Sequence, residues 1–459
     1  MQQIDIQRMA SEARLGSFQY GVLIWCALII IFDGYDLAVA GIALPSIIKE
    51  MGVGPTQAGL LVSTALFGMM FGNILFGTIS DKIGRRRAMA ICIALFSVFT
   101  SAAGLCKDPI LFGVARFLAG LGIGGVMPIV IAQMTEYAPQ RVRSTMVTLM
   151  FSGYSVGGML AAVLGKSLME SYGWQSVFIA AGLPVLLIPL ILRSMPESVS
   201  FLIQRGRTRE LARLAARLDP AYHASADDRF VIAGADGSGG APIRELFQQG
   251  RGLSTLMFWL SCFMCLFMVY ALSSWLAKLM ASAGYSLGSA LTFVLVLNLG
   301  GMLGAIGGGW LADRLHIKFV LTGMYLLAAV SIGLLGHPMP TGWLYLLVGL
   351  AGASTIGTQI VGCAYAGQFY PIGIRAVGVG WTLGMGRAGA ILAPIVIGVL
   401  VAMGLPLEQN FLAIAAPGLA AALAVLMIHH ARSASVAAET GIIHCRQNEE
   451  GRSVEDCHR

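Results

Sequence analysis

Gly77-Thr78-Ile79-Ser80-Asp81-Lys82-Ile83-Gly84-Arg85-Arg86-Arg87 joins two long apolar runs, and its opening returns later as Gly309-Trp310-Leu311-Ala312-Asp313-Arg314. The offset is 232 residues for both the glycine (309 − 77) and the acid (313 − 81). A second loop keeps that register. Glu136-Tyr137-Ala138-Pro139, with Arg143 following, returns as Gln368-Phe369-Tyr370-Pro371 with Arg375, again 232 apart (371 − 139 and 375 − 143). Two separate loops in one register mark a chain built from duplicated halves, and parallel halves in a membrane bracket a central site opened to each side in turn. The loop chemistry fits: glycine permits a tight turn between closely packed helices, and Asp81 is placed to pair with an arginine or a helix N-terminus.

Composition supports membrane spans throughout. The 459 residues are 57% hydrophobic and 12% charged, with a mean hydropathy of +0.77, which excludes an ordinary soluble domain. Charged and Gly/Pro-rich breaks divide the chain into twelve segments near the roughly 20 apolar residues a helix needs to cross hydrocarbon. They are 20–44, 56–79, 88–106, 109–134, 145–170, 174–193, 252–280, 286–312, 319–336, 341–366, 376–403 and 408–430. The expected fold is an all-α integral membrane protein with two pseudo-symmetric six-helix bundles, 1–193 and 251–430, a connecting loop, 194–250, and a tail, 431–459.

With a cytoplasmic N-terminus, Lys49, Lys107, Lys166 and Lys278 fall on the outer side and Arg116 and Arg387 within spans. The other 24 of the 30 Lys and Arg residues (30 − 4 − 2) are then on the inner side. That bias predicts two cytoplasmic termini, and the net charge of +7 reflects it and not a nucleic-acid surface. Residues 1 to 19 show no cleavage-site pattern and read as a cytoplasmic lead-in. In the connecting loop, Arg205 to Leu218 reads as a short surface helix and Gly234 to Ala241 as flexible; the tail from Arg432 is polar and expected to be poorly ordered.

The cysteines carry little. Cys262 and Cys265 have a redox or zinc-pair spacing, but on an apolar helix without further ligands they read as packing. His444, Cys445, Cys457 and His458 do not make a metal site, and no metal or cofactor is expected. No HExxH or GxSxG occurs, so an enzyme is not expected.

Two acids interrupt the first span. Asp33 and Asp36 lie three residues apart, so both carboxyls face one side of the helix, and an acid at such depth is by default functional, in a proton relay or a substrate or ion path.

Read with their neighbours, these motifs resemble the major facilitator superfamily, whose loop signature G-x-x-x-D-x-x-G-R-R fits Gly77 to Arg86. Arg116-Phe117-Leu118-Ala119-Gly120 through Gly125 is similar to the superfamily's helix-4 arginine motif, and Glu136 to Arg143 and Pro196-Glu197-Ser198 look like its sugar-porter side. Asp33-Gly34-Tyr35-Asp36, followed by Pro45, resembles the D-G-[FY]-D signature of the aromatic acid:proton symporters. Tyr270 to Leu276 is similar to that family's Trp-Leu region, although Ala277 stands where many members have proline and His316 replaces the second loop's glycine. The resemblance implies uptake of benzoate, a hydroxybenzoate or a similar aromatic carboxylate with protons, across a bacterial inner membrane, by a functional monomer. Another organic anion, a sugar-like metabolite, or export on the same fold are the alternatives. Helix 5 lacks the Gly-Pro run of drug exporters, and the spans have few Gln and Asn residues for a sugar.

At about 1.5 Å per residue, Asp36, Arg116 and Arg387 all reach the middle of the membrane. Asp33 or Asp36 is expected to carry the coupling proton, with Arg116 near enough to modulate it. A substrate carboxylate suits an arginine fork, Arg387 first and Arg116 second, with ring contacts drawn from Tyr35, Tyr270, Trp275, Tyr365 and Trp381, and from Phe32 and Tyr154. Asp81, Arg85, Arg86, Glu136 and Arg143, with Asp313, Gln368 and Arg375 in the other half, read as inner-face gating groups, with Glu136 and Arg143 paired.

Overall fold

The duplication reaches the helix boundaries. The computed structural model describes residues 3–13, 15–139, 141–219, 222, 229–231, 243–248, 250–370 and 372–429. Among them twelve helices are long and apolar enough to cross a membrane. In the first half these are α1 (Ser17–Met51), α2 (Pro55–Ile83), α3 (Arg85–Leu105), α4 (Pro109–Tyr137), α5 (Arg143–Tyr172) and α6 (Gln175–Ser194), the last interrupted by a 3-10 turn at Leu183–Leu187. In the second they are α7 (Gly252–Ser282), α8 (Leu287–Arg314), α9 (Ile317–Leu334), α10 (Thr341–Phe369), α11 (Ile372–Ala402) and α12 (Leu407–Leu426). The starts of α8, α9 and α10 follow those of α2, α3 and α4 by 232 residues each (287 − 55, 317 − 85, 341 − 109).

Packing repeats with the same offset. Gly68 and Gly72 of α2 meet the backbone of Phe117 and Leu121 on α4, while Gly300 and Gly304 of α8 meet Gly349 and Ala353 on α10. None of the four has room for a Cβ. Lipid offers no hydrophobic drive between helices, so small residues that let backbones approach supply the van der Waals contact instead. Helix ends are set by ordinary local chemistry. Asp108 caps α4 by accepting from the Leu111 amide at 2.9 Å, Pro109 occupies the first turn, and Gly52 ends α1 in the left-handed region at φ 64°, where only glycine is unstrained.

The bundles meet at α1 with α7, α2 with α11 and α5 with α8. Gly41 lies against the Ser273 carbonyl, Gly59 against Pro394 and Gly158 against Asn298. The Ser63 hydroxyl donates across the seam to the Ile391 carbonyl at 2.8 Å. The Gly41, Gly59 and Ser63 contacts lie in the half of the bundle remote from the chain termini, and Gly158–Asn298 lies at mid-helix.

Three features differ from expectation or add to it. The first span does not stop at Leu44: it runs through Pro45 to Met51, and its last turn is anchored where Glu50 accepts from Trp174 Nε1 at 2.7 Å, just before α6, and from Gln175 Nε2 at 2.8 Å. The lead-in is structured, with Gln3–Asp5 pairing in parallel with Arg229–Val231 of the connecting loop, followed by a short helix, Ile6–Glu12. The surface helix of the loop spans Thr208–Leu218, burying Leu211, Leu214 and Leu218 and exposing Arg209, Arg213 and Arg217. Gly234 to Ala241 and the tail from Arg432 lie outside the described residues.

Candidate functional site

Charge sits where the helices are deepest. Residue 34 is the midpoint of α1 ((17 + 51)/2) and Arg387 that of α11 ((372 + 402)/2), so Asp33, Asp36 and Arg387 share a level in the bundle. A small cavity of about 20 Å³ lies between the halves, lined among others by Gly34, Arg116, Tyr154, Tyr270, Ser273, Ser274 and Asn298. Its lining has the character of a small-molecule site, an apolar wall with a few placed polar groups.

The two aspartates are not equivalent. Asp36 is fully buried and ion-paired with Arg116, whose Nη1 donates to its carboxylate oxygens at 3.0 and 3.2 Å. The same nitrogen donates to Thr100 Oγ1 at 3.1 Å, and Arg116 Nη2 reaches the Asp36 carbonyl at 3.4 Å. The guanidinium also lies 5.7 Å from the Phe178 ring centroid. Asp33 is equally buried, yet both its carboxyl oxygens lack a hydrogen-bond partner among the described residues. Its electrostatic neighbours are Arg387 and Asp36. An ionised acid without partners in a dry interior is costly, which sets Asp33 apart from its paired neighbour.

Arg387 is less enclosed by protein than Arg116. Its Nη1 donates to the Tyr270 hydroxyl at 3.2 Å, and no carboxylate ion pair to it is found among the described residues. The guanidinium retains donors for an incoming anion, since arginine presents five.

Most of the expected ring contacts have other tasks. Tyr35 donates to the Val177 carbonyl at 2.8 Å, bracing α1 on α6. Trp275 is fully buried and its Nε1 donates to the Pro394 carbonyl at 3.0 Å. Tyr365 packs 5.0 Å from Phe258 in the core of the second bundle, and Trp381 stacks on Trp259 at 5.6 Å. Of the seven rings expected from the sequence, Tyr270 and Tyr154 line the cavity.

The loop residues form a separate cluster in the first half. Arg85 is ion-paired with Glu136, whose other oxygen accepts from the Val199 amide at 2.6 Å. The Glu197 carboxylate accepts from the Arg86 and Ser198 amides at 3.1 Å each. Gln133 Nε2 donates to the Pro196 carbonyl at 2.7 Å. Thus the segment after α6 is laced to the ends of α3 and α4. Glu197 was legible only as part of a motif; its capping role depends on a distant helix start. The side chains of Asp81, Arg143, Asp313 and Arg375 lie outside the described residues, so the structure pairs Glu136 with Arg85 and does not describe the expected Arg143 partner. Gln368 is exposed at the end of α10.

Comparison with known proteins bears on this arrangement. The family profile of the Major Facilitator Superfamily matches residues 26–361. The benzoate transport protein of Acinetobacter baylyi is 45% identical, covering 94% of both chains. The gallate transporter of Pseudomonas putida is 34% identical, covering 95% of this chain and 98% of the relative. The 4-hydroxybenzoate transporter PcaK of Pseudomonas aeruginosa is 33% identical, covering 93% and 96%. Among solved structures, a D-xylose-proton symporter aligns with a TM-score of 0.69 at 17% identity over 90% of this chain and 98% of that one. A bacterial homologue of the human lysosomal transporter Spinster, inward-facing and occupied, aligns at 0.71 and 18% over 90% and 97%. At those identities the structural likeness is one of fold. The family match and the relatives above 30% identity lead to one assignment: this multi-pass membrane protein belongs to the Major Facilitator Superfamily and, within it, to the group that contains these aromatic-acid transporters.

Proposed function

We propose that the protein imports an aromatic carboxylate, benzoate foremost, together with protons, by alternating access. The observation that carries this reading is the pairing of roles at mid-membrane: Asp33, an acid without a hydrogen-bond partner among the described residues, and Arg387, an arginine that donates to a phenol and to no carboxylate among them. The names of the relatives at 45% and 33–34% identity supply the substrate class. Arg387 binds the substrate carboxylate through its guanidinium fork, and the apolar wall formed by Leu37, Ala38, Val62, Leu66 and Val294 accepts the ring. Asp33 carries the coupling proton, while Asp36, ion-paired with Arg116, fixes the α1–α4 contact. Protons are the coupling ion and no other cofactor takes part. The protein works as a monomer in the bacterial inner membrane with both termini in the cytoplasm. Closure at the Gly41–Ser273 and Gly59–Pro394 seam corresponds to the state sealed on the side remote from the termini.

The test is uptake of radiolabelled benzoate and 4-hydroxybenzoate by cells that lack other aromatic-acid carriers. Accumulation abolished by a protonophore supports the proposal. Equilibration without accumulation, or no uptake of either acid, overturns it.

A further inference from the structure

One side chain in the cavity wall breaks the duplication. Val62 and Leu66 of α2 and Val294 and Asn298 of α8 all line the cavity, and the pairs are related by the 232-residue offset (294 − 62 and 298 − 66). Within each pair the residues lie one turn apart on a single helix face. An asparagine therefore stands where the first half has leucine. The fold accepts an apolar side chain at this level, and a polar one inside a span is costly enough to point to function.

Asparagine in a membrane helix often serves as a hydrogen bond between helices. Asn298 makes no such bond among the described residues: its Nδ2 donates to the Val294 carbonyl of its own helix at 2.9 Å. An amide has two N–H donors and a carbonyl acceptor, so one donor and the oxygen remain for the cavity. The residue is only 8% exposed, and Gly158 of α5 has no room for a Cβ because Asn298 Oδ1 occupies that space. Ser274 of α7 lines the same cavity, 4% exposed and with no hydrogen bond to its hydroxyl among the described residues. Two other polar groups of the wall are already engaged, Arg116 with Asp36 and Thr100 and Tyr270 with Arg387. Because Tyr270 both accepts from Arg387 at 3.2 Å and lines the cavity, this lining lies within one tyrosine side chain of the guanidinium. With the seam closed, the cavity of about 20 Å³ has room for one water or one hydroxyl group. Both bundles contribute walls, so opening the seam makes room for a ring.

We propose that Asn298, assisted by Ser274, is the specificity-determining residue for a hydroxyl group on the substrate ring. This deepens the reading above and rests on Arg387 holding the carboxylate. A hydroxyl on the part of the ring remote from the carboxylate donates to Asn298 Oδ1 and accepts from the Ser274 hydroxyl. A ring without a hydroxyl leaves that place to a water, which makes the same hydrogen bonds. Benzoate and monohydroxybenzoates are then both ligands, and the amide sets their ranking.

The experiment is calorimetric titration of the purified full-length protein with benzoate, 3-hydroxybenzoate and 4-hydroxybenzoate, for wild type, Asn298→Leu and Ser274→Ala. The quantity read is the ratio of each hydroxy acid's Kd to that of benzoate. Wild type is expected to bind benzoate and at least one hydroxy acid. In Asn298→Leu that hydroxy acid should weaken by about 5- to 100-fold more than benzoate does, the cost of burying a hydroxyl without its partner. Ser274→Ala should move the ratio the same way by a smaller factor. Leucine occupies the equivalent place on α2, so Asn298→Leu keeps the packing, and a purely structural amide would weaken all three acids together. An unchanged ratio in Asn298→Leu, or equal weakening of all three acids, overturns the specificity role while wild-type benzoate binding leaves the parent reading standing. So does a wild type that binds benzoate and neither hydroxy acid. Should Asn298→Leu misfold, Ser274→Ala decides: a raised ratio supports the subsite and an unchanged one overturns it. A wild type that binds none of the three acids removes the parent reading, and the subsite with it.

Discussion

Neutralising each helix-1 aspartate in turn should separate two acids that look alike in sequence. Asp36→Asn leaves Arg116, 1% exposed, without the carboxylate 3.0 Å from its Nη1. At that distance and an effective dielectric constant near 20, Coulomb's law gives an attraction of about 5–6 kcal/mol before desolvation. Breaking one side of a buried pair usually costs about 3–5 kcal/mol, because the surviving charge remains buried. Asp33→Asn removes a carboxyl with no hydrogen-bond partner among the described residues, so the variant's stability should be unchanged or raised. The assay is thermal unfolding of each variant in detergent, followed by benzoate counterflow in proteoliposomes. Asp36→Asn should melt well below wild type, and Asp36→Asn combined with Arg116→Gln should regain much of the loss. Asp33→Asn should melt at or above wild type, continue exchange, and fail to accumulate substrate. Destabilisation by Asp33→Asn equal to that by Asp36→Asn would refute the division of roles.

Three further outcomes follow from the geometry. Arg387→Ala should weaken benzoate binding by about 2–5 kcal/mol, the cost of removing one partner of a desolvated charge pair, with Arg387→Lys intermediate; unchanged affinity in a fluorescence titration would reassign the anion site. Gly41→Leu inserts a side chain where the Ser273 carbonyl lies and should disfavour the closed seam by about 1–3 kcal/mol, slowing counterflow while sparing binding; wild-type exchange rates would contradict this. Glu136→Gln weakens a charge-assisted contact to Arg85 that is worth about 1.5–3 kcal/mol, and should alter the exchange rate more than benzoate affinity, with the reverse pattern assigning Glu136 to the substrate site.

The fold was legible because its two controlling signals are local. Apolar runs separated by charged turns give the spans, and the 232-residue register is a property of sequence that survives into helix starts and into the glycine contacts of α2 and α8. The deep charges were legible for a similar reason: an aspartate or arginine at mid-membrane is expensive enough to stand out. Their division of labour was not. Asp33 and Asp36 share a helical face, and only the approach of α4 decides which one meets Arg116. The aromatic residues were least legible, since Tyr35, Trp275 and Tyr365 spend their rings and polar tips on packing, and an apolar span gives no sign of which ring faces a cavity. The pairing of Gln3–Asp5 with Arg229–Val231 joins segments too short and too distant to leave a periodic pattern.

Proton-driven accumulation is the claim on which the account turns, and reconstitution tests it most directly. Purified protein in proteoliposomes would be given radiolabelled benzoate with and without an inward proton gradient, beside an Asp33→Asn control. The account predicts accumulation above the external concentration only with the gradient and only in wild type. Accumulation that ignores the gradient, or persists undiminished in Asp33→Asn, would contradict it.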